Sequence, residues 1–305
     1  MTRFVMSLVV LLVAASVTFG QVPELLQRNC VTIQADRSSG SGTFVKRTID
    51  GDEKLFIWTA HHVVDGLRFT KGSSVQAGKQ KVGYRDAELV TEIQHDGRTV
   101  GDTRLFCKVL IVSPKLDVAV LEVRAPASVL PHVDGVAFDL SGELVPIATE
   151  LYHCGSPSGQ ALGHNSLTDG IVSANGRMFD YTDVNLPYMQ TSCSALPGSS
   201  GGIVARKDNG LYVGMLTLGI NGTDTFNYCV EVRRIVDWAR EEGIGYLVDP
   251  EAEPLTKEAL EELPIEDELR KEDSQKAAAD ASNYGFLLNI FGPTPADLPS
   301  VLLGS

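Results

Sequence analysis

Thr191-Ser-Cys-Ser-Ala-Leu-Pro-Gly-Ser-Ser-Gly-Gly202 packs three glycines and two adjacent serines into its last five residues. Glycine permits backbone turns closed to other residues and lets a substrate approach closely. A serine on such a turn can present its hydroxyl as a nucleophile, with backbone N–H groups beside it for an oxyanion. The same five residues also suit a simple surface turn. The choice rests on whether the chain supplies a base and an acid.

A serine nucleophile needs a base to take its proton, and the base needs a partner that fixes its tautomer. Gly198-Ser-Ser-Gly-Gly202 also fits the nucleophile elbow of α/β-hydrolases, which requires a histidine after the serine. All six histidines (61, 62, 95, 132, 153 and 164) precede Ser200, so that reading fails. Ala60-His-His-Val63 ends an apolar β-like run and supplies candidate bases. Lys115-Leu-Asp117-Val-Ala-Val-Leu121 sets a lone carboxylate at the start of another run. The order His62, Asp117, Ser200 is that of chymotrypsin-like β-barrel enzymes.

The surrounding chain agrees with an all-β architecture. Short apolar runs separated by turn residues begin at Cys30, Gly42, Leu55, Leu105 and Val118. A second set begins at Leu144, Leu151, Thr168, Tyr188, Gly202, Leu211 and Tyr228. Many short strands with few helices predict a sandwich or barrel. Residues 71–104 read as a long exposed loop or extended hairpin, and residues 125–145 as a linker between two halves. The first helix expected runs from Arg234 to about Glu242. Thr256 is placed to cap another from Lys257 to Leu263, and Ile265–Ala281 reads as a charged helical stretch.

Composition excludes some functions. Net charge is −13 over 305 residues. Residues 246–305 hold 13 acidic and 4 basic side chains, so the body is close to neutral. Nucleic acid is not an expected partner, because phosphate binding wants a basic face. Residues 1–20 read as a signal peptide with Arg3 at its start and an apolar run to about Val17. That run is short of the roughly 20 residues that span a bilayer, so export to a secreted or periplasmic location is expected, with no membrane span after cleavage. Cys30, Cys107, Cys154, Cys193 and Cys229 lack C-x-x-C spacing, so no metal site is expected. They are either disulfide-forming or small buried apolar groups, with at least one thiol free.

Five stretches together resemble the chymotrypsin/trypsin-like serine protease superfamily, in its HtrA/Deg-like branch. Thr59-Ala-His-His62-Val resembles the histidine motif, Leu116-Asp117-Val-Ala-Val-Leu the aspartate motif, and Pro197-Gly-Ser-Ser200-Gly-Gly the serine motif. Gly155-Ser-Pro-Ser-Gly159 and Gly170-Ile-Val-Ser-Ala-Asn-Gly-Arg177 resemble two further stretches of that branch, and Ser39-Gly-Ser-Gly-Thr-Phe-Val suits it too. The resemblance covers about residues 28–243. It implies two six-stranded antiparallel β-barrels, about 28–125 and 140–245, with a C-terminal helix and a partly helical acidic extension over 246–305.

The resemblance also implies roles. Ser200 would be the nucleophile, His62 the general base and then acid, and Asp117 the group that orients the imidazole. The N–H groups of Gly198 and Ser200 would form the oxyanion hole. Ser194, Thr217, Leu218 and Gly219 would contact substrate, and Thr217 would also support Asp117. The expected activity is hydrolysis of peptide bonds in protein or peptide substrates through an acyl-enzyme, without metal or cofactor. Two departures narrow it. Ser199 stands where trypsin-type zymogens carry an aspartate, so activation by a new N-terminus is not expected. Ser194 replaces the acid of basic-specific enzymes, so cleavage is expected after small or medium apolar residues. About 60 residues follow the barrels without the strand pattern of a PDZ module. The competing readings are a protease-fold binding protein and a protease limited to its own chain.

Overall fold

The computed structural model describes residues 21–70, 79–80, 82–95, 98–157, 164–179, 186–220, 223, 225–263 and 269–270. The proposed signal peptide and most of the acidic extension lie outside them.

Six strands close the first barrel: β1 (Cys30–Ala35), β2 (Ser38–Ile49), β3 (Asp52–Thr59), β4 (Ala87–His95), β5 (Arg98–Ser113) and β6 (Val118–Val123). Six more close the second: β7 (Glu150–Gly155), β8 (Ser166–Arg177), β9 (Tyr188–Thr191), β10 (Ile203–Arg206), β11 (Tyr212–Gly219) and β12 (Asn227–Glu231). The hydrogen-bonded order is β1-β2-β3-β6-β5-β4 in one and β7-β8-β9-β12-β11-β10 in the other. Every barrel pairing is antiparallel. The two barrels therefore repeat one topology. Closure removes the exposed edges of an open sheet.

Core side chains explain why these segments hold as strands. Phe44, Phe56, Ile57 and Trp58 are fully buried. The linker straps the barrels together: Val136 N donates to Phe44 O at 3.2 Å, and Tyr212 N donates to Ala137 O at 2.8 Å. Phe138 stacks between the barrels, 5.7 Å from Trp58 and 4.6 Å from Tyr212 by ring centroids. Helix α3 (Val232–Glu241), numbered after α1 (Val22–Arg28) and α2 (His61–Val64), follows the last strand. It buries Ile235, Val236, Trp238 and Ala239, and Trp238 meets Trp58 edge to face at 6.0 Å. Truncating Trp58 to alanine costs about 3–5 kcal/mol on the usual scale for a buried aromatic.

Several sequence expectations need correction. Leu144–Ala148 forms no strand; Pro146 lacks a ladder donor, and Ala148 sits at φ 68°. Within 71–104, where a long exposed loop or an extended hairpin is expected, Ala87–His95 and the start of β5 form the hairpin, and it is part of the first barrel. Helix α1 and the single turn α2 precede the first helix expected, each too short for a helical period to show. Leu269–Arg270, placed in a helical stretch, pairs as a two-residue strand with Lys79–Gln80.

Residues 246–263 pack back on the first barrel. Arg47 donates through Nη2 to Leu247 O at 3.1 Å. Helix α4 (Lys257–Glu262) is capped by Thr256 Oγ1, which accepts from Ala259 N at 3.2 Å. Lys257 N donates to Asp50 Oδ2 at 2.9 Å, and Leu260 is buried.

Candidate active site

Strand β3 ends at Thr59, and Ala60 in extended conformation starts the turn α2, which carries both histidines. Two main-chain donors tie that turn to Asp117. His61 N donates to Asp117 O at 3.1 Å, and His62 N to Asp117 Oδ1 at 2.9 Å. Asp117 stands at the mouth of β6 with φ 55°, a left-handed conformation that aspartate tolerates better than most residues. Its Oδ2 accepts the His62 Nδ1 hydrogen at 2.8 Å and the Thr217 Oγ1 hydrogen. His61 turns elsewhere, its Nε2 lying 3.4 Å from Tyr84 Oη and 3.5 Å from Asp65 Oδ1. The fold thus sets His62, not His61, against the carboxylate.

Electrostatics follow from the pair. Burial alone lowers the His62 pKa, but the charge and hydrogen bond of Asp117 outweigh it and leave the imidazole more basic than usual. Burial alone raises the Asp117 pKa, while His62 and the Thr217 hydroxyl together hold it below the usual carboxylate range. Burial dominates at His61 and lowers its pKa. Oppositely charged neighbours favour each other's ionised forms, so the arrangement suits a transient imidazolium.

The serine loop connects β9 to β10. Several backbone groups of its last turn are held. Ser199 N donates to Leu196 O at 3.0 Å, Gly201 N to Leu216 O at 2.7 Å and Gly202 N to Ser199 O at 2.9 Å. Ser41 N donates to Ser200 O, and Ser41 Oγ donates to Gly198 O, each at 2.7 Å. From residue 198 to 202, the N–H groups of Gly198 and Ser200 are the two that donate to no acceptor among the described residues. Gly198 has φ 94° and Gly201 φ 86°. A Cβ on Gly201 would lie 2.2 Å from Ser41 O, so glycine there is a steric necessity.

Ser200 is nearly buried, and its hydroxyl donates to Thr217 O at 3.5 Å rather than to the His62 ring. Proton transfer to His62 requires that contact to be exchanged for one to the imidazole; such bonds commonly tighten only with substrate bound. Ser199 is buried; its Oγ accepts from Leu196 N at 3.4 Å, so the loop closes on itself where the zymogen aspartate is missing.

The expected substrate contacts lie on two segments. Ser194 is partly exposed and its carbonyl accepts the Thr168 hydroxyl at 2.7 Å. Thr217 is buried against Asp117. Leu218 and Gly219 pair with Tyr228 and Asn227 of β12, whereas β10 pairs with β11 only as far as Met215. Leu216 on that edge bonds Gly201 and Gly202 of the serine loop, and beyond it Leu218 and Gly219 have no second strand beside them among the described residues, which suits pairing with an extended peptide. All five cysteines are buried free thiols. Cys193 and Cys229 share one core cluster, and burial pushes the Cys193 thiol up to about 11. The described residues contain no group of three or more His, Cys, Asp or Glu arranged to hold a metal.

Sequence reading assigned no role to Ser41 or Ser156. Ser156 N donates to Ser41 Oγ at 2.8 Å. The local signals are the Ser39-Gly-Ser-Gly42 run and the Gly155-Ser-Pro-Ser-Gly159 stretch, which lie far apart along the chain.

Comparison with known proteins agrees with the fold. The model of the trypsin-like peptidase domain matches residues 40–215, more than half of the chain. No curated protein matches significantly. Among solved structures, Deg5 is similar with a TM-score of 0.51 and 20% identity, over 75% of this chain and 94% of that one. Rv3671c from M. tuberculosis, crystallised as a serine-to-alanine mutant in an inactive form, is similar with a TM-score of 0.50 and 17% identity, over 73% of this chain and 90% of that one. At these identities the likeness is one of fold. With two closed six-stranded barrels and the domain match over residues 40–215, the chain belongs to the trypsin-like peptidase family.

Proposed function

We propose that the protein is an exported serine endopeptidase that hydrolyses peptide bonds of protein substrates through an acyl-enzyme. The observation that carries this reading is the meeting of His62 Nδ1 with Asp117 Oδ2 at 2.8 Å, across from a serine loop whose two uncommitted N–H groups flank Ser199. Ser200 Oγ attacks the scissile carbonyl while His62 takes its proton. Asp117 holds the Nδ1–H tautomer and stabilises the imidazolium. Gly198 N–H and Ser200 N–H receive the oxyanion, and His62 then protonates the leaving amine. Water repeats the sequence to release the acid. No metal or cofactor takes part in these steps.

Ser194 in place of an acid, with partly exposed Leu218 and exposed Leu196, Ile220 and Phe226 nearby in sequence, supports cleavage after small or medium apolar residues. The apolar run in residues 1–20 supports export; among the described residues no helix is long and apolar enough to cross a membrane. Deg5 and the inactive-form Rv3671c share the architecture, which is consistent with this reading and does not reach the substrate.

A second reading, a protease-fold binding protein, is favoured by one observation: the Ser200 hydroxyl faces Thr217 O instead of His62. Incubation with an apolar peptide library, followed by mass spectrometry, separates the two. Cleavage products that require Ser200 support the peptidase; an intact library over hours with folded protein supports the binder.

A further inference from the structure

We propose that Ser41, on β2 of the first barrel, is a positioning residue for the oxyanion site of the second. This rests on the peptidase reading above and deepens it. The relevant geometry is a pair of opposed hydrogen bonds at one hydroxyl. Ser41 Oγ accepts from Ser156 N at 2.8 Å and donates to Gly198 O at 2.7 Å. Because the Ser156 N–H occupies an oxygen lone pair, the hydroxyl hydrogen is directed at Gly198 O. A serine hydroxyl has one hydrogen to give, so the direction of this bond is fixed.

Gly198 O belongs to the peptide between Gly198 and Ser199. The other end of that peptide, Ser199 N, is held by Leu196 O at 3.0 Å. The plane is thus pinned at both ends. One residue further on, the main chain of Ser41 takes Ser200 O at 2.7 Å. The two N–H groups assigned to the oxyanion, Gly198 and Ser200, lie on either side of the pinned plane. Ser41 therefore sets the directions from which both donors emerge, and it does so from the opposite barrel. It touches no reacting atom.

Burial makes the restraint firm. Ser41 is fully buried, as is Ser156. Ser41 O in turn accepts the Thr59 hydroxyl at 2.6 Å, one residue before the turn that carries His62. One residue thereby registers the histidine side of the site against the serine loop. Its N and O make main-chain bonds that any residue would make. Only the Oγ contacts depend on serine, which is what makes the idea testable.

The test is steady-state kinetics on an apolar peptide, with inhibition by a peptide boronate that mimics the tetrahedral oxyanion. Ser41→Ala should lower kcat by about 10- to 100-fold, less than or equal to the loss of one oxyanion donor, with KM little changed. Boronate affinity should fall by a similar factor, and affinity for an uncleaved ground-state peptide should not. Ser41→Cys, which keeps a weaker donor, should lie between the two and serves if the alanine variant does not fold. Thr32→Val is the control: it removes a buried hydroxyl bonded at 2.7 Å to Ser156 Oγ on the same seam, and should leave kcat at the wild-type value. An active wild type with unchanged kcat in Ser41→Ala, or an equal fall in Thr32→Val, overturns the assignment alone. A wild type that neither cleaves peptide nor binds boronate overturns the peptidase reading and this assignment with it.

Discussion

Thr217 Oγ1 donates to the same oxygen of Asp117 that receives the His62 Nδ1 hydrogen. The carboxylate therefore holds three donors: Oδ1 takes the His62 main-chain N–H, and Oδ2 takes a hydroxyl and an imidazole. A carboxylate fixed by three donors cannot rotate away from the imidazole, and its charge is stabilised before any substrate arrives. Thr217 lies on β11, whose carbonyl at the same residue also faces Ser200 Oγ. One residue thus contacts both the acid and the serine.

Loss of the Thr217 hydroxyl should weaken this arrangement without dismantling it. Thr217→Val should lower kcat about 10-fold, equivalent to ~1.5 kcal/mol for one hydrogen bond to a charged group. Thr217→Ser should restore most of it. Equal kcat values for the threonine and valine forms would show that Asp117 needs no such support.

The pH profile reports the His62–Asp117 pair. The base works only when neutral, so kcat/KM falls as pH drops through the His62 pKa. Asp117 raises that pKa against the opposing effect of burial, which places the acid limb above that of an ordinary histidine. Asp117→Asn removes the charge. The limb should then move to lower pH, and kcat should fall by about 10,000-fold because the tautomer is wrong. A limb that stays in place in the variant contradicts the pairing.

His153 gives a separate, structural pH dependence. It is buried beneath Gly155 and Gly202, donates through Nδ1 to Ile203 O at 3.0 Å, and burial pulls its pKa down to about 4. The unfolded chain holds a proton on this ring below its ordinary value of 6.5 while the native state stays neutral. Its contribution to stability is thus intact above pH 6.5 and is lost as pH falls toward 4, by roughly 3 kcal/mol in all. Urea unfolding at pH 7 and 4.5 should show a smaller drop for His153→Gln than for wild type. Identical drops would assign the acid sensitivity to other groups.

Two glycines with similar φ should respond differently to alanine. Gly201 has φ 86° with Ser41 O in the path of a Cβ, whereas Gly51 has φ 84° with nothing within 4 Å. Gly51→Ala should cost only the left-handed strain, about 1–2 kcal/mol. Gly201→Ala adds a backbone clash and should cost about 3 kcal/mol or more, with loss of activity. Thermal unfolding of both variants checks the contrast.

Much of this site is legible in the chain because its parts are local motifs. His62 follows a strand end, Asp117 precedes an alternating run, and Ser200 sits among glycines, each within a few residues of its signal. The spacing of short apolar runs predicts a sandwich or barrel, and the two six-stranded barrels are what the family resemblance implies. What escaped reading depends on distant partners or on short elements. Strand β4 alternates Leu89 with Glu88 and Glu92 beside a polar segment, and its character becomes clear only when paired with β5. Leu144–Ala148 has strand composition but carries Pro146 and a left-handed Ala148. Ser41 and Gly198 are 157 residues apart, and nothing local to either announces the bond. Lys257 meets Asp50 through its main-chain N–H and Asp52 through its ammonium at 2.6 Å, acidic groups that sequence alone gives no reason to connect with it.

The most direct test is labelling with a fluorophosphonate, which reacts with a serine only when a base activates it and an oxyanion site receives the charge. Wild-type protein at neutral pH should label stoichiometrically, and Ser200→Ala, shown to be folded by its unchanged circular dichroism, should take no label. Folded wild type that remains unlabelled, or equal labelling of Ser200→Ala, would contradict the assignment of Ser200 as an activated nucleophile.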